Sequence, residues 1–445
     1  MKNLFKKSLR NSKFLLVFFL FGCHLINPEI DPKLTPPITI KKQPKPIEQR
    51  ANNQFESREL NTAKINKKKV KVALFLPFSG KNKELGWHLF NAATLALFDN
   101  DVNNNIELVL VDSKDTPQEA AKAFKEIIDK DIKVVIGPVF TPSIEAIEAD
   151  VKANKIIVIS LSNNQKLMGK VTNNSAIFLS GMMPETQVEK IVSYALGKEK
   201  TNFAIIAPNT QYGLTITDLL KRTVKARDGN FIVSEVYQPN GRDLDKTVLR
   251  VINSFTVPSR LAEGKGNKGK LNKTSAVSDN DRSYPQVIMI PDSGKALSQI
   301  VASIQNQNKD EREFQIIGTS QWDDISTLND LSLSGAWFAA PENEKFRKLE
   351  KSYYGTYNKF PPRLASIAYD SVAVVVEMID RKNGKNIEVA DLINYNANGK
   401  NGFDGIDGLF RFLPNGLVQR NLAVLEVRSG RFDTIEKPVE KFLKY

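Results

Sequence analysis

Few side chains in this chain could do covalent chemistry. Cys23 is its single cysteine, and His24 and His88 are its only imidazoles. One thiol cannot close an intramolecular disulfide. No Cys/His spacing suits zinc, and no Ser-His-Asp constellation is readable. Nor can paired carboxylates for acid–base work be assembled. These exclusions predict a protein that is not an enzyme and carries no metal or cofactor. The reactive group with a telling context is the Cys23 thiol. A basic stretch (Lys2, Lys6, Lys7, Arg10, Lys13) precedes it, followed by an apolar run from Phe14 to Phe21. That run is too short to span a bilayer. It ends in Leu20-Phe21-Gly22-Cys23, with an aliphatic residue three before the thiol and a small one just before it. Diacylglyceryl transfer needs the thiol, and cleavage in front of it needs the small neighbour.

This pattern resembles the bacterial lipobox. It predicts a lipoprotein signal peptide over residues 1–22 and a lipidated Cys23. Three acyl chains, at about 0.8 kcal/mol per buried methylene, make a stable membrane anchor. His24, rather than an aspartate, follows the cysteine, which points to a periplasm-facing outer-membrane location. Residues 23–69 then read as the lipidated cysteine and a disordered tether. Pro28, Pro32, Pro36, Pro37, Pro44 and Pro46 lie there among Lys and Asn, with few large apolar residues. Fully extended, it reaches on the order of 150 Å.

From Val70 onward the pattern is that of elements able to position a site. Val70 to Leu76 and Glu107 to Val111 read as strands, with helical spacing between them from Trp87 to Phe98. Thr116-Pro117-Gln118-Glu119 has capping-box spacing with proline at the first helical position. Ala120, Ala123, Phe124, Ile127 and Ile128 then mark one helical face. Ile132 to Ile136 is a continuous apolar strand, as expected when both sheet faces are covered. The alternation recurs at Ile156 to Ser160, Phe203 to Ala207, Phe231 to Tyr237, Val287 to Ile290 and Phe314 to Ile317. It predicts an α/β fold with mainly parallel sheets, arranged as two Rossmann-like lobes. A closed (β/α) barrel is the architectural alternative. Residues 258–284, rich in glycine, lysine and serine, read as a disordered insertion. The net charge of +13 lies largely in low-complexity Lys/Asn stretches. No basic helix interleaved with aromatics accompanies it, so no nucleic-acid partner is expected.

The order of motifs resembles the type I periplasmic binding proteins, the branched-chain amino-acid receptor group. Val72-Ala73-Leu74-Phe75-Leu76-Pro77-Phe78-Ser79-Gly80 is similar to their opening strand and loop. Val134-Val135-Ile136-Gly137-Pro138 with Thr141 and Ser143, and Ile157-Val158-Ile159-Ser160 with Ser162, Asn163 and Asn164, are similar to their ligand loops. Gln211-Tyr212-Gly213 resembles the second-lobe loop that carries a ligand-contacting tyrosine. The resemblance implies a cleft for a small polar ligand lined by Ser79, Thr141, Ser143, Ser162, Asn163, Asn164 and Tyr212. Thr141 and Ser143 would offer hydroxyls and backbone donors at a helix N-terminus. Thr141 as a plain N-cap and Tyr212 as hinge packing remain the alternatives. The family's ammonium-binding glutamate is replaced by Thr319-Ser320-Gln321-Trp322-Asp323-Asp324, which adds Trp322 and Asp323 as cleft candidates. Pro291-Asp292-Ser293 stands where an aromatic is expected. The lobes are expected at about 70–181 with 323–400 (lobe 1) and about 182–322 with 401–445 (lobe 2).

Pro361-Pro362-Arg363, Ala368-Tyr369-Asp370-Ser371 and the stretch from Gly402 through Phe412 to Val427 resemble the LpoA-type penicillin-binding-protein activators. That resemblance implies an outer-membrane lipoprotein that binds a bifunctional penicillin-binding protein and stimulates peptidoglycan synthesis. The alternative is a solute-binding lipoprotein of an ABC transporter. Cys23→Ser is expected to release the protein from the membrane fraction. Retention of that variant in membranes after a high-salt wash would refute the anchor.

Overall fold

Strand β1 (Val70–Leu76) buries nearly every side chain, because it lies inside a sheet whose two faces are both covered by helices. The computed structural model describes residues 68–167, 169–172, 175–254, 283–396 and 399–443, all within one unit from Lys64 to Tyr445. The expected signal peptide, Cys23 and all but the last two residues of the tether lie outside the described residues. So does the 258–284 insertion, apart from Ser283 and Tyr284.

The first lobe opens as alternating strands and helices. Helix α1 (Lys83–Asn100) leads to β2 (Ile106–Asp112), α2 (Pro117–Asp129) to β3 (Val134–Ile136), and α3 (Thr141–Ala153) to β4 (Ile157–Ser160) and β5 (Ala176–Leu179). The five strands form one parallel sheet in the order β2-β1-β3-β4-β5. Helix α2 starts where its sequence says it should. Pro117 takes the first turn, and the Thr116 hydroxyl oxygen accepts the Glu119 N–H at 3.3 Å. Ala120, Phe124 and Ile127 form its buried stripe.

The second lobe follows. It runs α4 (Pro184–Gly197), β6 (Asn202–Pro208), α5 (Gln211–Ala226), β7 (Asn230–Tyr237), α6 (Leu244–Ile252) and β8 (Val287–Met289). It continues through α7 (Gly294–Gln307), β9 (Gln315–Gly318), α8 (Ile325–Leu328) and β10 (Trp337–Ala340). The chain then returns to the first lobe with α9 (Asn343–Tyr357), α10 (Ala365–Arg381), α11 (Val389–Ile393) and the strands β11 (Phe403–Gly405), β12 (Gly408–Phe412) and β13 (Val418–Arg420). It ends back in the second lobe with β14 (Ala423–Arg428) and β15 (Arg431–Glu436). That lobe's sheet has the order β15-β14-β10-β9-β8-β6-β7, with all strands running one way except β14, which pairs antiparallel with both β10 and β15. The expected two-lobed α/β architecture is therefore the one the chain adopts.

The lobe boundaries fall elsewhere than expected. Residues 323–340 stay in the second lobe. Strand β10 pairs with β9, and Phe338 packs on Trp322. The three-stranded sheet β11-β12-β13 belongs to the first lobe. Phe403, Phe410 and Phe412 join its core, with Phe412 4.9 Å from Phe178. The chain thus passes between the lobes at 180–183, 341–342 and 421–422.

Two of those passages are fastened by one buried charge pair. Arg420 and Asp370 are each only 1% exposed and lie 3.3 Å apart. Arg420 Nη2 donates to the Ser180 carbonyl at 3.2 Å, and its guanidinium rests 4.5 Å from the Phe410 ring centre. Asp370 also accepts the Ile406 N–H at 2.6 Å and the Asp407 N–H at 3.4 Å. Gly405 is required beside it, since a Cβ there would lie 2.5 Å from Asp370 Oδ2. Burial pushes the Asp370 carboxyl up, to about 6, against the pull of Arg420. Asp370→Ala, which strands the buried guanidinium, is expected to cost about 3–5 kcal/mol in urea unfolding. Lys348→Ala, which removes an exposed pair with Glu344, should cost less than about 0.5 kcal/mol. Equal losses would show that Arg420 finds water instead.

Candidate functional site

A cavity of about 410 Å³ lies between the lobes, at the carboxyl ends of first-lobe strands. This is where open α/β sheets place ligands. Two loops build its first wall. After β3, Gly137 adopts φ +99°, and a Cβ there would meet the Phe75 carbonyl at 2.2 Å. The Pro138 carbonyl then accepts the Ser160 hydroxyl at 2.8 Å and the Leu161 N–H at 3.2 Å, tying this loop to the one after β4. Asn164 braces both loops. Its Nδ2 donates to Thr141 Oγ1 at 3.1 Å, and its backbone N–H donates to Ser162 Oγ at 3.2 Å.

Of the expected site residues, Thr141, Ser162 and Asn163 line this cavity. Asn164 stands behind them as the brace. Ser143 is buried in α3, and its N–H is spent on the Phe140 carbonyl at 3.1 Å. Pro142 has no N–H, so the helix end offers fewer free donors than its position suggests. Ser79 does not line the cavity. Its hydroxyl lies 3.4 Å from Lys114 Nζ, beside the Asp112–Lys114 ion pair. Those contacts hold the Asp112 carboxyl down at about 2, even though burial raises it. Tyr212 is also off the cavity. It donates to Thr319 Oγ1 at 3.0 Å, and burial pushes its hydroxyl up to about 12.

Trp322 does not reach the cavity. It is fully buried in the second-lobe core, its indole N–H donating to the Asp292 carbonyl at 2.9 Å. Its ring lies flat over Gly318, where a Cβ would come within 2.1 Å. The inserted tryptophan fills the core under the loop rather than reaching the ligand space.

Asp323 has a different partner from the one expected. It accepts from Arg363 Nε at 3.0 Å and from Asn343 Nδ2 at 2.9 Å, both on first-lobe segments. Arg363 is the residue the sequence reading did not single out as a site residue. It lines the cavity, sits over the Phe346 ring at 4.2 Å, and reaches Asp407 and the Ser366 hydroxyl through Nη1. Burial lowers its proton affinity, but the Asp407 and Asp323 carboxylates outweigh that and raise it. Its Nη2 is buried without a hydrogen-bond partner among the described residues. Asp407, which also lines the cavity, spends one oxygen on Arg363 and the other on the Ser366 hydroxyl. Much of the remaining wall is apolar, with Val139, Phe140, Leu161, Met182, Pro341, Leu364 and Ile367. Among the described residues no group of acids, histidines or cysteines could hold a metal ion.

Two parallel-sheet lobes, joined by repeated chain passages and facing one cavity at their strand ends, define the type I periplasmic binding protein class. Residues 69–431 match the periplasmic binding protein family, and the chain belongs to it. It is 23% identical over 380 residues to an uncharacterized protein of Rickettsia prowazekii, covering 85% of this chain and 91% of that one. Among solved structures it is similar to one from Rhodospirillum rubrum assigned to branched-chain amino acid ABC transport. There the TM-score is 0.64 at 18% identity, over 82% of this chain and 100% of that one. It is also similar to the transporter substrate binding protein LivJ of Streptococcus pneumoniae in complex with isoleucine. That match has a TM-score of 0.52 at 17% identity, over 84% and 99% of the two chains.

Arg363–Asp323 is the ion pair that spans the lobes among the described residues. Asp323→Ala is expected to let the lobes separate, read as a larger radius of gyration in small-angle scattering without ligand. An unchanged radius would show that other contacts hold them.

Proposed function

We propose that this protein is a non-catalytic envelope receptor. Its cavity takes a small, largely apolar ligand that presents uncharged oxygen acceptors and lacks an ammonium group. The observation that carries this reading is Arg363, which lines a mostly apolar wall and whose Nη2, shielded in this arrangement and without a partner among the described residues, becomes available to a ligand when the lobes part. Such a group calls for an acceptor, because an unpaired buried donor costs about 1–3 kcal/mol. Charge decides which acceptor. Arg363 already faces two carboxylates, so a full anion would meet a local balance of about −1. A carbonyl or amide meets no such penalty.

A zwitterionic amino acid fares worse. Thr319 and Ser320 stand where the family resemblance expects an acid, and Asp323 and Asp407 are spent on Arg363 and its neighbours. An ammonium group buried without a carboxylate costs several kcal/mol. Calorimetry should therefore find that N-acetylleucinamide binds and that free leucine, isoleucine and valine do not bind below millimolar concentration. Arg363→Gln should weaken the amide at least tenfold, equivalent to about 1.5–3 kcal/mol. Sub-micromolar leucine binding would overturn the reading.

What the receptor reports to is a second question. One reading is an ABC-transporter solute receptor on a lipid anchor; the solved structures similar to this chain include proteins assigned to that transport. The other is an outer-membrane lipoprotein that binds and activates a bifunctional penicillin-binding protein. It draws on the Gly402 to Val427 resemblance and on the tether. Much of that segment has a structural explanation in this fold. Gly405, Ile406, Asp407 and Arg420 wrap the Asp370 carboxylate, so their presence adds less to the activator reading than the motif alone suggests. Crosslinking in intact envelopes separates the two, a permease supporting transport and a synthase supporting activation.

A further inference from the structure

A second cavity, of about 400 Å³, lies on the first lobe and shares no lining residue with the cleft. Its walls are Lys83, Glu84, Trp87, His88 and Asn91 on α1, with Lys359 from the segment after α9. Trp87 is 47% exposed, unusual for so large an apolar side chain. It is held in place by Phe78 at 5.1 Å and Phe90 at 5.6 Å, ring centre to ring centre. A fixed, half-exposed indole is a stacking platform whose ordering cost is already met by folding.

The polar groups around it are arranged as well. Asn91 Nδ2 donates to the Tyr353 hydroxyl at 3.1 Å, and that hydroxyl lies 2.7 Å from His88 Nδ1. The other ring nitrogen, His88 Nε2, has no hydrogen-bond partner among the described residues. Asn91 Oδ1 and the Glu84 carboxylate are acceptors. Lys83 and Lys359 have no carboxylate within ion-pair distance among the described residues. Beyond Lys359 the exposed Phe360 stacks on the exposed Tyr354 at 4.8 Å, extending the aromatic surface.

We propose that this cavity binds a carboxylate-bearing saccharide. A sugar ring presents a C–H face to the indole and hydroxyls that need polar partners, here His88 Nε2, Asn91 Oδ1, Glu84 and the two lysines. Its carboxylate meets the two unpaired ammonium groups. A cationic ligand would also favour an indole face, but the lysines repel it. The site is independent of the cleft and of what occupies it.

The test is a calorimetric titration of the full chain in detergent, a readout that does not depend on Trp87 and so serves its variants as well. The probes are a hyaluronan tetrasaccharide and the neutral chitotetraose. The acidic sugar should bind about tenfold more tightly than the neutral one, and salt should weaken it. Trp87→Ala should abolish binding and Lys359→Ala should weaken it severalfold, while Arg363→Gln leaves it unchanged. Trp87→Phe keeps an aromatic against Phe78 and Phe90 and should retain part of the affinity, which separates loss of the platform from loss of fold. Equal affinity for the two sugars, no binding of either at millimolar concentration, or full binding by Trp87→Ala would each overturn the proposal.

Discussion

A carboxylate and a guanidinium, Asp370 and Arg420, meet where the lobes join, and both are cut off from water. Desolvating two charges costs more than a lone contact returns, so such a pair persists only where further polar groups complete it. Here the completion comes from backbone. Ile406 and Asp407 donate to Asp370, and Ser180 accepts from Arg420. Those donors and acceptors belong to separate stretches of chain, one leaving the first lobe and one about to leave it. The pair therefore sets the relative placement of the chain passages, and with it the floor of the cleft. Asp407 is at once a neighbour of this pair and a wall of the cavity, so hinge and site are one electrostatic system. Its charge is among the influences that raise the Asp370 carboxyl.

That continuity explains how Arg363 is used. An arginine in a binding cleft ordinarily supplies a positive field for an anion. This one is charge-compensated before any ligand arrives, by Asp407 in its own lobe and by Asp323 across the gap. What remains is geometric rather than electrostatic: one guanidinium edge with hydrogens to donate. Asp323 has in effect been withdrawn from ligand binding to serve contact between the lobes. Recognition of a ligand ammonium group and interlobe pairing compete for the same carboxylate, and here the second use prevails.

Much of the fold was legible because its signals are local. Thr116-Pro117 and the Ala120, Phe124, Ile127 stripe mark α2 from sequence alone, and the unbroken apolar runs of β3 and β4 announce a sheet covered on both faces. The lobe boundaries were not legible. Strand β10 pairs with β9 rather than crossing over, and nothing in Trp337–Ala340 states which sheet it joins. The site was partly legible. Thr141, Ser162 and Asn163 follow strand ends directly, so their place comes with the topology. Arg363 takes its partners 40 and 44 residues away in sequence, and no spacing rule connects them. Trp322 misled for the complementary reason. An aromatic after a strand reads as exposed to the cleft, yet Gly318 four residues earlier leaves the space into which the ring folds back.

The two cavities also differ in how they are made, and that difference bears on what each can evolve to do. The cleft is assembled from both lobes, so a ligand seated there would lie against the Arg363–Asp323 contact across the gap. The cavity beside Trp87 draws on α1 and the segment after α9, both in the first lobe and both packed on its core. Occupying it requires no relative movement of the lobes. A fold of this kind can therefore carry one site whose filling is coupled to conformation and another that tethers or positions the molecule without disturbing that coupling. The half-exposed indole persists at the second site at little cost, because Phe78 and Phe90 already hold its inner face.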